Sequence, residues 1–440
     1  MKQFQPRRFA AVAAGLALAG TLAATAWAAP PQSGSLDPSF NGTGYTTTPI
    51  GGFSFAQGVT TQGDKTIAVG GAFNATDDFA IARYNKNGSL DTSFGSGGIT
   101  TVDFNGGDDQ ATSVAMQGDK TVVAGFTTPD GGTTEEIALA RLNKDGSLDT
   151  SFGTGGEVVT NFGDGYDFAD AVAVKGDSIV IAGETRAGGP GDDNFLVAQY
   201  KKNGQLDTSF GTGGFTATDF NGDFDAANGL AFQGDKIVLA GYVSSAANGF
   251  DFGLARYTKN GQLDTSFGTG GKVETDFFGG NDAAHAVDVK GDSIVAVGDV
   301  VNGTQVVGPS TNTLFDFAAA MYDKNGHLDP KFGNGGKAVL SAGDVDQGYT
   351  GGFGPGDSVW VGGTTEDYVD LNTAYFAVGR WTKNGTPDPK FGTNGTTRNT
   401  MGGDSASAIG GTVGPGDTIT LAGIDIDQGD FALARYIDKG

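Results

Sequence analysis

The sequence predicts an all-β protein, a seven-bladed β-propeller built from four-stranded antiparallel blades. Two observations support this fold class. A short motif ending in Phe recurs seven times at a nearly constant spacing, and Gly, Asn and Asp divide each interval into short apolar and β-branched runs. Repeats of this length cannot bury a core singly, so they stack against their neighbours in a solenoid or a propeller. The repeat explains the high glycine content, 77 of 440 residues.

The recurring motif has the form Leu-Asp-x-Ser-Phe in five copies, and in the two degraded copies that follow Lys replaces Ser and, in the last one, Pro387 replaces Leu. Successive motif Asp residues lie 54 to 65 positions apart. We expect each Asp to accept hydrogen bonds from backbone amides in a tight turn, and each Phe to fill the space between blades. Seven metal sites are the alternative interpretation. The motif residues are Asp37 and Phe40, Asp91 and Phe94, Asp149 and Phe152, Asp207 and Phe210, Asp264 and Phe267, Asp329 and Phe332, and Asp388 and Phe391.

Within one unit, the segment 111–162, the pattern is strand-like throughout. Four runs of five to eight residues are predicted strands, at Ala111–Gln117, Lys120–Gly125, Ile137–Leu142 and Glu157–Phe162. No window of the sequence keeps a helical period, which excludes a parallel sheet with crossover helices. Four short strands joined by turns fit an antiparallel meander, the usual blade of a propeller.

The two ends of the chain predict how the ring closes. The first strand, Tyr45–Pro49, is the fourth strand of a unit whose first three strands are missing. The last strand, Phe431–Tyr436, matches the third strand Phe79–Tyr84 and lacks a fourth. We therefore expect the first and last strands to pair, which closes the ring within one blade and leaves no open sheet edge. An open solenoid would need capping units instead.

The repeat itself resembles a known family. The run Ala-Arg-Tyr-Asn-x-Asn-Gly-x-Leu-Asp-x-Ser-Phe-Gly at residues 82–95 is similar to the delta-60 repeat of bacterial proteins. The resemblance covers about residues 35–440 and implies a β-propeller repeat of unknown function, with no established catalytic residues. That family usually has a Pro-Asp-Gly-Lys turn in its inner hairpin, whereas Gln117-Gly118-Asp119-Lys120 is one residue shorter here. The difference concerns the turn and not the fold.

The N-terminus predicts export. Basic residues precede an apolar, Ala-rich run from Phe9 to Leu22, and Ala26-Trp27-Ala28 places small residues where a signal peptidase cleaves. A membrane anchor is the alternative, but the run is shorter than the roughly 20 residues that span a bilayer. We expect a secreted, extracellular protein cleaved after Ala28. The predicted organisation is a signal peptide (1–28), a short linker (29–34) and the propeller (35–440).

Charge and composition limit the partners. The formal net charge of −24 argues against nucleic acid and anionic membranes, which are themselves polyanions. The absence of Cys excludes disulfides, thiolate metal sites and a Cys nucleophile. No later segment is long and apolar enough to be a membrane span. We expect a monomer that binds an extracellular ligand, which is a carbohydrate, a peptide or a protein.

The two rims of the predicted propeller differ in how much their loops vary. One rim, the uniform rim, carries the Gly-Asp turn and the motif. An Arg stands eight residues before the motif Asp in four units, and in a fifth the Arg and its Asp37 lie on either side of the predicted ring closure. The opposite rim, the variable rim, carries connections of unequal length, the longest from Asp299 to Asp316. Binding sites are usually built from variable loops on a rigid scaffold. The Arg residues are Arg83, Arg141, Arg256, Arg380 and Arg435, and Gln199 and Met321 replace them in two units.

The variable rim is also acidic. Acidic residues open the inner strand of six units: Asp109, Asp167, Asp225, Asp282, Asp346 and Asp404, with Ser54 in the first unit. Three positions further on lie Gln57, Thr112, Asp170, Asn228, His285, Tyr349 and Ser407. One interpretation is an Asx turn that starts each strand. The other is a ligand-binding ring of carboxylates at the mouth of the channel, made asymmetric by His285 and Tyr349, that holds Ca²⁺ or a cationic or polyhydroxylated ligand.

The function favoured by this pattern is a non-catalytic binding or recognition module, because uniform units with varied loops are typical of binding proteins. A carboxylate-dependent polysaccharide hydrolase or lyase is one alternative, and a structural cell-surface protein is the other. With only two His residues, a Ser-His-Asp triad would need His285 or His327, and no Gly-x-Ser-x-Gly turn accompanies either. The sequence marks out no catalytic residue.

Overall fold

The computed structural model describes residues 32–439, except 74–75, 130–131, 133, 164, 187–192, 223, 246–248, 308–309, 369 and 404. The predicted signal peptide (1–28) and residues 29–31 of the linker lie outside the described residues. In the part of the chain that is described, no helix is long and apolar enough to cross a bilayer. The regular elements there are strands, apart from a single 3-10 turn at Pro355–Asp357.

The strands are numbered here in chain order. The first half comprises β1 (Tyr45–Thr48), β2 (Phe53–Gln62), β3 (Lys65–Phe73), β4 (Asp77–Tyr84), β5 (Ile99–Val102), β6 (Asp108–Gln117), β7 (Lys120–Thr128), β8 (Glu136–Leu142), β9 (Glu157–Thr160), β10 (Asp167–Lys175), β11 (Ser178–Thr185), β12 (Asn194–Tyr200), β13 (Phe215–Thr218) and β14 (Asp225–Gln233). The second half comprises β15 (Lys236–Ser245), β16 (Gly249–Tyr257), β17 (Lys272–Thr275), β18 (Asp282–Lys290), β19 (Ser293–Val307), β20 (Ser310–Tyr322), β21 (Lys337–Leu340), β22 (Val345–Phe353), β23 (Val359–Asp367), β24 (Asp370–Trp381), β25 (Thr396–Asn399), β26 (Ala406–Gly414), β27 (Thr418–Asp425) and β28 (Asp430–Ile437).

These strands form four-stranded antiparallel meanders. Four sheets are consecutive: β2 to β5, β6 to β9, β10 to β13 and β14 to β17. A larger sheet contains two further meanders, β18 to β21 and β22 to β25, joined by one parallel pair between Phe315 and Val345. The four-stranded antiparallel unit predicted from the sequence is confirmed, and it is the arrangement that a β-propeller requires.

The last sheet contains strands from both ends of the chain, in the order β1-β28-β27-β26. β1 pairs antiparallel with β28, with Tyr45 opposite Ala434 and Thr48 opposite Phe431. Successive first strands of the sheets contact one another from β2 to β26, and β26 contacts β2. The pairing expected between the first and last strands is therefore present, while the closed ring of seven blades remains a prediction.

The longest predicted connection, Asp299 to Asp316, differs from expectation because it is mostly strand. β19 and β20 extend past their neighbours into a long hairpin, which pairs Val301 with Phe315 and continues to Val307 and Ser310. The Val and Thr residues of this segment favour extended backbone, and the sequence spacing alone did not distinguish a long hairpin from a loop.

The hydrophobic core lies between neighbouring sheets. In one such layer, Ile67 and Phe79 from the β2–β5 sheet pack with Phe94 against Val123 and Leu142 of the next sheet, and all five are fully buried. The motif Phe of every unit is buried in this way, with at most 1% of its surface exposed. Each buried Phe stabilises the fold by roughly 2 kcal/mol, so the motif contributes to the interface between sheets at every repeat.

The motif Asp anchors the same interface. The Arg83 guanidinium donates through Nε to Asp91 at 2.7 Å and through Nη1 to the Lys144 carbonyl of the next sheet at 2.5 Å. The guanidinium carbon of Arg83 lies 4.5 Å from the centre of the Phe94 ring, and the Ser93 amide donates to Asp91 at 3.2 Å. The pair thus ties a tight turn to the neighbouring sheet. It recurs as Arg141–Asp149, Arg256–Asp264, Arg380–Asp388 and Arg435–Asp37.

Candidate functional site

One residue in each first strand interrupts the pairing with the second strand. The register of the ladder shifts at the same place in all seven units, which is a β-bulge. A bulge turns its extra residue out of the regular alternation and often occurs next to a binding site. The bulge residues are Gln57, Thr112, Asp170, Asn228, His285, Tyr349 and Ile409.

All seven bulge residues line one cavity. Its volume is about 360 Å³, and its wall also includes the one or two residues that follow each bulge. Each bulge residue is partly exposed, whereas the residue immediately before it is buried. The cavity lies where the first strands of the sheets contact one another, so it collects one side chain from every unit. These seven side chains are of seven different kinds.

The predicted inner positions agree with the bulge residues in six units and differ in the seventh. The sequence pattern placed Ser407 there, but the register of β26 makes Ile409 the bulge residue. Ser407 instead shares a hydrogen bond of 2.8 Å with Thr364. The small residue after the bulge was the missed signal. A Cβ on Gly410 would lie 2.1 Å from the Gln57 carbonyl oxygen, so the close approach of the neighbouring strand requires glycine.

The predicted ligand Asp residues occupy the position three residues before the bulge. Five of them, here called the inner Asp residues, are fully buried: Asp109, Asp167, Asp225, Asp282 and Asp346. Asp404 lies outside the described residues, and the register places Ala406 in the equivalent position of the last unit. Ser54 holds that position in the first unit, where its hydroxyl accepts from the Ile50 amide at 3.3 Å.

Each inner Asp accepts a hydrogen bond from the backbone of the connection that leads from the preceding sheet. Its Oδ2 accepts a backbone N–H from four or five residues earlier, as from Phe220 to Asp225 at 2.7 Å and from Ala342 to Asp346 at 2.6 Å. The geometry matches the turn interpretation and does not present these carboxylates to a ligand at the channel mouth. Of the seven predicted ligand residues that the structure describes, His285 and Tyr349 are the two that line the cavity.

Polar and aromatic side chains surround His285 in the cavity wall. His285 Nε2 lies 3.2 Å from Asp299 Oδ2, and its Nδ1 lies 3.5 Å from the Asn228 amide nitrogen. The Tyr349 ring packs edge-on against the imidazole at 5.3 Å between centroids. Burial, with Asp299 and Glu366 nearby, raises the pKa of Tyr349 to about 12, so its hydroxyl stays protonated at neutral pH. This side of the cavity offers an aromatic face beside hydrogen-bonding groups.

Two carboxyl groups near the cavity titrate around neutral pH. Burial raises the pKa of Asp170 to about 7, an effect that His285 partly offsets. Burial, and then the charges of Asp170 and Asp193, raise the pKa of Glu184 to about 8. Near pH 7 these groups can therefore donate as well as accept hydrogen bonds. The sequence pattern did not mark out Glu184, because its partners lie in other strands.

A protein-family description matches four segments of the chain. It is a β-propeller domain of unknown function, DUF5122, and it matches residues 62–94, 117–152, 177–210 and 233–267. Each segment begins at or beside the turn between the first two strands and ends at the motif Phe or next to it. These four segments are similar to β-propeller repeats of unknown function. This finding supports the predicted type of repeat, and the narrower delta-60 assignment stays a resemblance.

Solved structures similar to this chain share little sequence with it. The Bombyx mori GH32 β-fructofuranosidase BmSUC1 is 12% identical with a TM-score of 0.33, covering 91% of this chain and 92% of its own. The β-propeller domain of the Trilobed protease from Pyrococcus furiosus is 10% identical with a TM-score of 0.44, and the match covers 88% of this chain and 94% of that domain. Drosophila Semaphorin 1b, extracellular domains 1–2, is 9% identical with a TM-score of 0.42, and the match covers 92% of this chain and 87% of the semaphorin chain. A comparison with curated proteins found no match.

Proposed function

We propose that the protein is a secreted, closed seven-bladed propeller that binds a carbohydrate in the central cavity and does not transform it. The observation that carries the proposal is the contrast within each unit. The motif and the turns repeat along the chain, whereas the bulge residue is different in all seven units and always faces the same cavity. A repeated scaffold that presents one variable side chain per unit to a shared cavity is suited to recognition.

The closed ring is part of this proposal. Five four-stranded sheets and the two halves of the larger sheet would be the seven blades. The contact between β26 and β2 and the pairing of β1 with β28 support closure. A channel surrounded by seven inner strands would then be the cavity that the bulge residues line.

Export is the second part, and it rests on the sequence of residues 1–28. The mature chain would begin near Ala29, and its extracellular location would expose the cavity to free or surface-bound glycans. Mass spectrometry of the exported protein should find that N-terminus. Recovery of the protein with residues 1–28 intact, in the membrane fraction alone, would contradict export as a cleaved protein.

The chemistry of the wall favours a polyhydroxylated ligand. Gln57, Thr112 and Asn228 offer amide and hydroxyl groups, and Tyr349 offers an aromatic face. Sugars present hydroxyl groups around a ring with apolar faces, and sites of about 300–1,000 Å³ with a few converging polar groups are typical for small molecules. The cavity, at about 360 Å³, is in that range.

Saturation-transfer NMR on the mature chain with a panel of mono- and disaccharides tests binding directly. For a sugar that binds, Tyr349→Ala and Gln57→Ala should each weaken binding at least about tenfold, because each removes a contact of over about 1.4 kcal/mol. His327→Ala is the matched control, since His327 is exposed and lies on the uniform rim. Unchanged binding in both cavity variants would place the ligand elsewhere and overturn the proposal.

A polysaccharide hydrolase or lyase is the second candidate, and the raised pKa values of Asp170 and Glu184 favour it. A general acid works best when its pKa lies near the working pH. Incubation with a panel of polysaccharides, followed by measurement of new reducing ends, would detect such an activity. Loss of that activity in both Asp170→Asn and Glu184→Gln would replace the binding proposal with catalysis.

A further inference from the structure

Three carboxylates meet at the connection between β17 and β18. Asp251 lies in β16, Asp276 directly follows β17, and Asp282 opens β18. One carboxylate oxygen from each lies within 4.8 Å of the others. Oxygen ligands of one Ca²⁺ stand about 2.3–2.6 Å from the ion and so up to about 5 Å from one another. The spread of these three groups therefore fits a shared ion.

Asp282 differs from most other inner Asp residues in how its second oxygen is used. Its Oδ2 accepts from the Phe277 amide at 2.7 Å, as in the other units. Its Oδ1 is buried and has no hydrogen-bond partner among the described residues. In Asp225, Oδ1 accepts from the Ser244 amide at 3.1 Å, and in Asp167 it accepts from the Thr185 hydroxyl at 2.6 Å. A fully buried carboxylate oxygen without a donor costs free energy unless something else satisfies it.

The missing donor has a structural explanation. Thr185 and Thr365 stand opposite Asp167 and Asp346 on the second strand and donate to them. Val243 and Val300 occupy that place opposite Asp225 and Asp282 and cannot donate. Asp225 accepts from the Ser244 amide instead, whereas the two other groups that converge at Asp282 are the carboxylates Asp251 and Asp276. Neither can donate when ionised. The surroundings of Oδ1 therefore attract a cation rather than supply a hydrogen bond.

The nearby Lys337 does not remove this preference. Its ammonium group donates to the Asp276 carbonyl oxygen at 2.8 Å and lies 5.4 Å from the centre of the Phe277 ring. In the preceding unit Lys272 makes the same contact with the Asp219 carbonyl at 3.0 Å. Because both connections have this lysine, it does not explain why three carboxylates meet at the connection between β17 and β18.

We propose that Asp251, Asp276 and Asp282 form a Ca²⁺ site that ties the outer strand of one sheet to the first strand of the next. Asp282 would bind through Oδ1, Asp251 from the buried side and Asp276 from the solvent side, with water completing the coordination. The site is independent of the sugar-binding cavity.

The test is thermal unfolding of the full mature chain, prepared with a chelator, with and without CaCl₂ at pH 7.5. If the dissociation constant is near the 10⁻⁴ M of extracellular modules, about 10 mM Ca²⁺ should raise the Tm by about 3 °C. Asp282→Asn and Asp276→Asn should each lose most of this rise. Asp276 is exposed, so its variant is expected to fold normally.

Asp225→Asn is the matched control, because Asp225 holds the equivalent position with both oxygens satisfied and its Ca²⁺-induced rise should equal that of the wild type. Isothermal titration with CaCl₂ should show binding to the wild type and to this control, and at least tenfold weaker binding to Asp276→Asn. The proposal is overturned if the wild type does not respond to Ca²⁺, or if Asp276→Asn and Asp282→Asn respond as strongly as the wild type.

Discussion

Asp recurs at two places in the repeat, and the protein treats the two charges in opposite ways. The motif Asp on the uniform rim has cations beside it: burial opposes ionisation of Asp91, but hydrogen bonds from Lys65, Ser93 and Arg83 hold its pKa well below the ordinary value. The inner Asp on the variable rim has a backbone amide and no cation at the carboxylate, and burial raises the pKa of Asp225 to about 7.

The difference shows that residue type and repetition do not determine the electrostatic role of a carboxylate. A charged Asp stabilises the fold where it pairs with a buried Arg, and it lowers stability where the carboxylate is buried without a cation. The uniform rim is thus organised for stability. The variable rim carries charge that a proton or a metal ion could compensate, and this is also where the units differ most.

The largest expected effect comes from removing β28, the strand that supplies Arg435 to the motif Asp37. Deletion of residues 430–440 removes β28, with Arg435 and the buried Phe431, and leaves β1 without a partner. We expect the Tm to fall by about 10 °C or more, since the loss exceeds that of any usual point mutation. A truncated chain that melts at the wild-type temperature would contradict both the closed ring and the role of the terminal pair.

Next in size is the loss of one Arg from a motif pair. Arg141→Met leaves Asp149 buried with Lys120 at 2.6 Å as its remaining cation. Breaking a buried pair costs about 3–5 kcal/mol, and we expect the lower end because Lys120 remains. Gln199→Met is the matched control. Gln199 donates to Asp207 at 3.1 Å without a charge, so its loss should cost about 1 kcal/mol. Urea unfolding measures both, and equal losses would show that the Arg charge contributes nothing.

The pH dependence of stability should separate the two sets of Asp. Burial raises the pKa of the inner Asp109 and Asp346 to about 6, above the unfolded value of 3.8, so the folded protein binds more protons and its stability falls as pH rises from about 4 to about 7. The lowered pKa of Asp149 acts oppositely: its contribution is present above the unfolded value and is lost as pH falls below it. Calorimetry from pH 3 to 8 with a chelator should find the highest Tm near pH 4–5. A Tm that rises steadily to pH 8 would contradict the assignment of the inner Asp residues.

The smallest effect compares two inner Asp residues without Ca²⁺ at pH 8. Asp282→Asn should stabilise the protein by about 1 kcal/mol, because the new amide can donate toward Asp251 and Asp276 in place of an unpaired charge. Asp225→Asn should destabilise it by about 1 kcal/mol, since one of its two backbone donors would then face an NH₂ group. Chemical denaturation gives both values, and the same sign in both variants would show that the two sites are equivalent.

Repetition made the unit predictable. The four-stranded meander, the turn carrying Asp91 and Phe94 and the pairing of β1 with β28 all follow from patterns that the chain states several times, because each copy must bury the same face against its neighbour. The Arg83–Asp91 pair was likewise visible as a constant spacing of eight residues.

The candidate site depended on features that spacing does not encode. A bulge changes which side chain faces the cavity. In the last unit the residue at the bulge is Ile409, two positions after the predicted Ser407. The burial of Asp282 and the approach of Asp251 and Asp276 depend on how two neighbouring sheets pack, so they appear only when residues distant in the sequence come together. Local patterns specify strands and turns through each residue's own backbone preferences, whereas the environment of a charge is set by the atoms of other strands.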